Sequence, residues 1–299
     1  MIAVQTGVGS EDSLEAARYV VWVEGEDESI DAVVVREVLR GLDRWSGWVK
    51  GLGKSSGIRA TARAMRAYHP HYYFVVDRDH FADEVVEETW SSFPDRSRDN
   101  LLIWRKRSVE NYLLDPNILG CSRHLKPGFD IAGELEKVAR KHVFMDIANA
   151  VILEVREQLK AEWIRLFRDP APFDNKDRAW DGLKQRTEWA EKRKAANELL
   201  AETTLSDLFD AAHDRFLGSS AVPRHGEGRW RDLMAGKPLY NHLVNRAFEV
   251  VDREGVAVHG RDAQHAVAID LIASGDCLPD DFVRLRQFIE TLATARGMP

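Results

Sequence analysis

Cysteine is scarce in this chain. Cys121 and Cys277 are the only two in 299 residues, and they lie too far apart to form a metal-ligand spacing. A reducing cytoplasm is the simplest setting for such a sequence. Long apolar runs are missing as well. None approaches the roughly 20 residues that a bilayer-spanning helix needs, so no membrane partner is expected. The first residues carry Glu11, Asp12 and Glu15 and lack the basic-then-apolar pattern of a secretory signal. There is no excess of positive charge. The net charge of −7 argues against a protein that coats duplex nucleic acid nonspecifically. It leaves room for an enzyme that gathers acids at one site and keeps basic patches elsewhere. The histidines are scattered, with no H-x-x-x-H or H-E-x-x-H zinc spacing. No internal repeat or low-complexity tract stands out.

What is present is a soluble globular composition, 44% hydrophobic and 30% charged, in a chain long enough for one large domain or two ordinary ones. From 19 to about 120 the pattern alternates between strand and helix. Tyr19–Val23, Trp45–Lys50, Tyr72–Val76 and Leu101–Trp104 read as strands. Helices are expected over about 28–41, 58–68 and 81–91, with Gly41 closing the first. Such alternation predicts an α/β fold, a parallel sheet flanked by helices. The pattern changes after about 130. Residues 132–168, 177–217, 262–274 and 280–295 show helical periodicity, and a loop rich in Gly, Pro and Arg is expected over 218–238. Trp22, Trp104 and Trp163 read as core.

The chemistry sits at the strand ends. Glu24-Gly25-Glu26-Asp27-Glu28 follows the first strand, and Asp77-Arg78-Asp79 follows the third. Ligands of open α/β sheets bind in the crevice beyond the carboxyl ends of the strands. Each acidic segment has an ordinary reading on its own: acids favour a helix N-terminus, and Asp caps helices. Together they place several carboxylates at one rim. A divalent cation with hard oxygen ligands, Mg²⁺ or Mn²⁺, is the usual reason to tolerate that.

A third segment, Ser108-Val109-Glu110-Asn111-Tyr112, follows the strand at 101–104 and the basic run Arg105-Lys106-Arg107. In order, the three segments resemble the Toprim nucleases of the OLD (overcoming lysogenization defect) class. The likeness is to the stand-alone Toprim proteins, such as the effector subunits of the PARIS anti-phage defence system. E-G-x-x-D/E is matched by Glu24, Gly25 and Glu28, with Asp27 competing for the last place. D-x-D is matched by Asp77 and Asp79, and S-x-E-N-Y by Ser108, Glu110, Asn111 and Tyr112. A shorter likeness to the family's downstream lysine element places Lys237.

The resemblance implies a Toprim catalytic domain over 1–125 and a helical C-terminal domain over 126–299. It implies a metal-dependent phosphodiesterase using two Mg²⁺ or Mn²⁺ ions. Glu24, Glu28, Asp77, Asp79 and Glu110 would be the ligands, and Glu24 could equally serve as general acid or base. Lys237, or a cation of 105–107, would offset charge developing on the phosphorus. The implied substrate is nucleic acid, RNA and plausibly tRNA ahead of DNA. The implied partner is a separate ABC-type ATPase acting in trans, and the long C-terminal helices offer faces for a homodimer.

Other residues invite a nucleic-acid role. Arg105, Lys106 and Arg107 could hold phosphates, or form a solvated loop end. Trp230 could stack on a base, or anchor a loop. Lys54 lies in the turn Gly51–Gly57, which is not a P-loop, because that motif needs glycine where Trp48 stands. His80 is the histidine placed to face the site. Tyr112 reads as structural.

Overall fold

The computed structural model describes residues 19–42, 47–65, 68–69, 71–79, 81–94, 100–160, 187–275 and 278–294. The expectations for the leader, His80, Trp163 and Cys277 lie outside them.

Four short strands form the sheet, β1 (Tyr19–Val23), β2 (Gly47–Gly51), β3 (Tyr72–Val76) and β4 (Leu101–Ile103), with β1 and β3 made entirely of β-branched and aromatic residues. All pairs are parallel and the order is β2-β1-β3-β4. Val20, Val21 and Val23 of β1, Tyr73–Val76 of β3 and all of β4 are buried. Continuous burial, rather than alternation, is what a parallel sheet covered by helices requires. The α/β class expected from the sequence is the class observed.

The strand order fixes where a site can form. The chain runs from β1 to β2 on one side, then returns to add β3 on the other side of β1. The order reverses between β1 and β3, and that is the crevice where open α/β sheets bind ligands. Val23 pairs with Val75, so Glu24 and Asp77 leave neighbouring strands within about one residue of each other.

Helix α1 (Ile30–Val38) starts where Ser29 accepts a hydrogen bond from the Ala32 N–H (3.2 Å), and it buries Ala32, Val34, Val35 and Val38. The carbonyls of Val38, its last residue, and of Arg40 just beyond it accept from the Arg286 guanidinium (2.7 and 2.8 Å). Helix α2 (Ser55–Met65) packs on β3, and α3 (Asp83–Ser92) on β4. Two one-turn helices follow, α4 (Glu110–Leu113) and α5 (Pro116–Leu119), the second capped by Asp115. The first ends just before Asp115-Pro116, and proline at the first position suits the start of the second.

The remaining helices are α6 (Ile131–Lys160), α7 (Thr187–Leu199), α8 (Glu202–Leu217), α9 (Trp230–Leu233), α10 (Gly236–Ala247), α11 (Gly260–Ala273) and α12 (Asp280–Thr294). The expected loop over 218–238 therefore contains one helix and the start of another. Among the described residues no helix is long and apolar enough to cross a membrane.

The chain divides into two compact units. One comprises Met1–Lys141 with Trp230–Pro299, the other His142–Arg229. This differs from the expected boundary near 125/126. The reason is packing: α11 and α12 lie on α1, while α9 and α10 lie on α4. The last 70 residues complete the α/β unit rather than a separate helical domain.

Candidate active site

Beyond β1 the backbone turns sharply at Gly25 (φ +84°), which exchanges two hydrogen bonds with Gly53 (2.7 and 2.8 Å). A Cβ at 25 would stand 2.7 Å from the Ser29 Cβ, so glycine is required there. The turn sends the acids of the first motif in different directions. Asp27 accepts from the Gly51 N–H (2.8 Å) and the Lys50 ammonium (3.3 Å), which ties it to the end of β2. Glu28 is exposed and pairs with Arg261 (2.9 Å). Glu24 and Asp31 line the cleft. Of the two competing acids, Asp27 is tied to β2, whereas Glu28 lines the cleft beside Arg261.

Beyond β3, Asp77 accepts from the Val109 N–H (3.2 Å), joining the second motif to the third. Arg78 is buried and does not line the cleft. It pairs with Asp83 (2.7 Å) and donates to the carbonyls of Phe81 and Arg105 (both 3.0 Å). Asp79 holds a left-handed backbone (φ +48°), uncommon outside glycine, and its N–H donates to the Arg107 carbonyl (3.1 Å). It lies at the exposed edge of the same cleft.

The third motif is set from below. Asn111 is fully buried. Its Oδ1 accepts from the Ser108 N–H (3.0 Å) and hydroxyl (2.8 Å), and its amide donates to the carbonyls of Arg231 (2.7 Å) and Met234 (3.0 Å). Gly236 presses against this knot; a Cβ there would stand 2.4 Å from Asn111 Oδ1. That close approach lays the N-terminus of α10, and Lys237 with it, beside the acids. Tyr112 is structural as expected: its hydroxyl donates to Asp281 (2.5 Å) and accepts from the Arg105 N–H (3.0 Å). Glu110 is only 4% exposed, and it lines the cleft. Among the described residues no hydrogen bond or ion pair reaches its carboxylate.

The result is one cleft of about 660 Å³ at the switch point. Its acids are Glu24, Glu26, Glu28, Asp31, Asp77, Asp79 and Glu110, and its cations are Lys54, Arg107, Lys237 and Arg261. The acids disturb one another. Burial first, then the charges of Asp31, Glu110, Glu24 and Asp79, push the Asp77 carboxyl well above the usual carboxylate range. Burial, then Glu110 and Glu24, raise Asp31 likewise, although its own backbone hydrogen bond and Lys237 oppose the shift. Among the described residues no three His, Cys, Asp or Glu side chains are already gathered into a metal cage. The oxygen-only donor set nevertheless suits a hard cation.

No protein-family model, curated protein or solved structure matches the chain.

Of the residues singled out from sequence, Glu24, Glu28, Asp77, Asp79, Glu110, Lys237, Lys54 and Arg107 line the cleft. Arg105, Lys106 and Trp230 do not. Arg105 is clamped by Glu87 and Asp281 (both 2.6 Å) and lies over the Trp90 ring. Lys106 pairs with Asp232 (3.2 Å). Trp230 is 1% exposed, so its indole is a packing anchor and no base can stack on it. Sequence reasoning missed Asp31, Arg261 and His265. Asp31 left a signal: with Val35 and Val38 it occupies the i, i+4, i+7 stripe of a helix whose other members are buried. Arg261 and His265 left none, because only tertiary packing brings α11 to α1. Burial first, then the Arg261 charge, lower the His265 imidazole below its ordinary value.

Proposed function

We propose that the chain is a Mg²⁺- or Mn²⁺-dependent phosphodiesterase of Toprim type that cuts nucleic acid. The observation that carries this reading is Glu110. It is a carboxylate withdrawn from solvent and paired with no cation among the described residues, at a strand-end crevice that also holds Glu24, Asp31, Asp77 and Asp79. A buried unpaired charge costs several kcal/mol, on the order of what a bound cation returns. Like charges repel, so such carboxylates stand apart until a cation draws them together.

Glu24, Asp77, Asp79 and Glu110 would hold the metal, which supplies an activated water and a counter-charge for the leaving oxygen. The protein's own part is positional. Lys54 and Arg107 border the acids and suit backbone phosphates. The Lys237 ammonium lies at the start of α10, where it can meet charge that builds on a phosphoryl oxygen. His265 lines the same cleft, where burial and the Arg261 charge lower its imidazole below the ordinary value and favour the neutral form that a proton acceptor needs. The Asp77 bridge to Val109 keeps the second and third motifs in register during these events.

The likeness of the three motifs to stand-alone Toprim effectors supports RNA, tRNA foremost, as substrate and a separate ABC-type ATPase as partner. Nicking of DNA at the same residues is the competing reading. The test is incubation of the purified chain, alone and with any ATPase encoded beside it, with tRNA, other RNA and supercoiled plasmid in Mn²⁺ or Mg²⁺. Metal-dependent cleavage that Glu24→Ala and Asp77→Ala abolish is the expected result. Plasmid cleavage with intact tRNA moves the substrate to DNA. All substrates intact under every condition overturns the proposal.

A further inference from the structure

The first motif pairs Glu24 with a second acid. By spacing, the partner of Glu24 is Glu28. In the fold Glu28 stands at the cleft rim with 74% of its side chain exposed, already neutralised by Arg261. Asp27 is spent on Gly51 and Lys50. Three residues past Glu28, about one turn further along the chain, Asp31 enters the same cleft from α1.

We infer that Asp31, not Glu28, is the second acid of the first motif and that it ligates the same divalent cation as Glu110. This rests on the metal site of the proposed nuclease but assigns a ligand that the motif spacing does not.

Two observations converge. First, Asp31 shares a wall with Glu24, Asp77 and Glu110, and Glu110 is the buried carboxylate for which the described residues supply no cation. Second, among the described residues no hydrogen bond or ion pair from another residue engages the Asp31 carboxyl, so its oxygens stay open to a ligand in the cleft.

The test is Mn²⁺ binding to the full chain, read by electron paramagnetic resonance of free Mn²⁺ and by thermal melting with and without the ion. Wild type, Asp31→Asn, Glu28→Gln and Asp77→Asn are compared. Wild type should bind and melt higher with Mn²⁺. Asp31→Asn should weaken binding about tenfold or more, on the order of losing a ligand or its support. Without metal it should melt no lower than wild type. Glu28→Gln should bind within about twofold of wild type, as loss of an exposed pair allows. The inference falls if Asp31→Asn binds like wild type while Asp77→Asn does not, or if Glu28→Gln weakens binding as much as Asp31→Asn. It falls equally if Asp31→Asn melts lower without metal, which would make Asp31 a fold-stabilising helix acid. If wild type binds no Mn²⁺, the proposed nuclease falls with it.

Discussion

At the scale of single residues the cleft trades stability for charge. Asp77 and Asp31 have carboxyls raised above their unfolded values by burial and by their neighbours. A raised folded value favours the protonated form. The stability associated with it is therefore complete below about pH 4, the unfolded carboxylate value, and is lost as pH rises through the raised folded values. For the metal-free chain, Asp77→Asn should remove that loss and raise stability at pH 7 by about 1 kcal/mol, roughly 2–4 °C in Tm. The same substitution should abolish metal-dependent cleavage; a lower Tm instead would mean that the bond to Val109 outweighs the repulsion. Lys237 is exposed, so Lys237→Ala should leave Tm within about 1 °C while lowering kcat roughly 10²-fold, as loss of a charge-stabilising group does. Parallel melting curves and single-turnover cleavage rates check both.

At the scale of elements, the order of the motifs was legible and their mutual seating was not. Strand-end acids follow from local sequence, because apolar runs followed by Glu24 and by Asp77 announce themselves. Asp31 could be reached by helix phase, since Val35 and Val38 mark its stripe as inward. What a linear pattern cannot encode is Gly236 meeting Asn111, two residues 125 positions apart in the chain. Gly236→Ala should force α10 off the third motif and cost about 1–3 kcal/mol, the usual range for overpacking. Urea unfolding would measure this, and an unchanged midpoint would show that the contact can relax. Arg105 illustrates the converse error. Beside Lys106 and Arg107 it reads as a phosphate contact, yet its guanidinium closes Asp281 and Glu87 onto the Trp90 ring. A basic run looks alike from sequence whether it faces solvent or binds the chain to itself.

For the whole molecule, the two compact units divide the chain differently from the expected boundary at 125/126. Helical periodicity reveals that 262–274 and 280–295 are helices but carries no information about what they rest on. The α/β unit is discontinuous, and residues from Trp230 onward supply the cover for α1 and α4. A chain ended at Arg229 should therefore lose its cooperative thermal transition, which circular dichroism would report; a sharp melt would show that the sheet stands without its C-terminal cover. The discontinuity also governs timing. A ribosome makes the carboxylates of the first three motifs early and Lys237, Arg261 and His265 late. A nascent chain thus carries the acids with Lys54 and Arg107 but without Lys237 and Arg261, and the complete cleft first exists once α11 has been made.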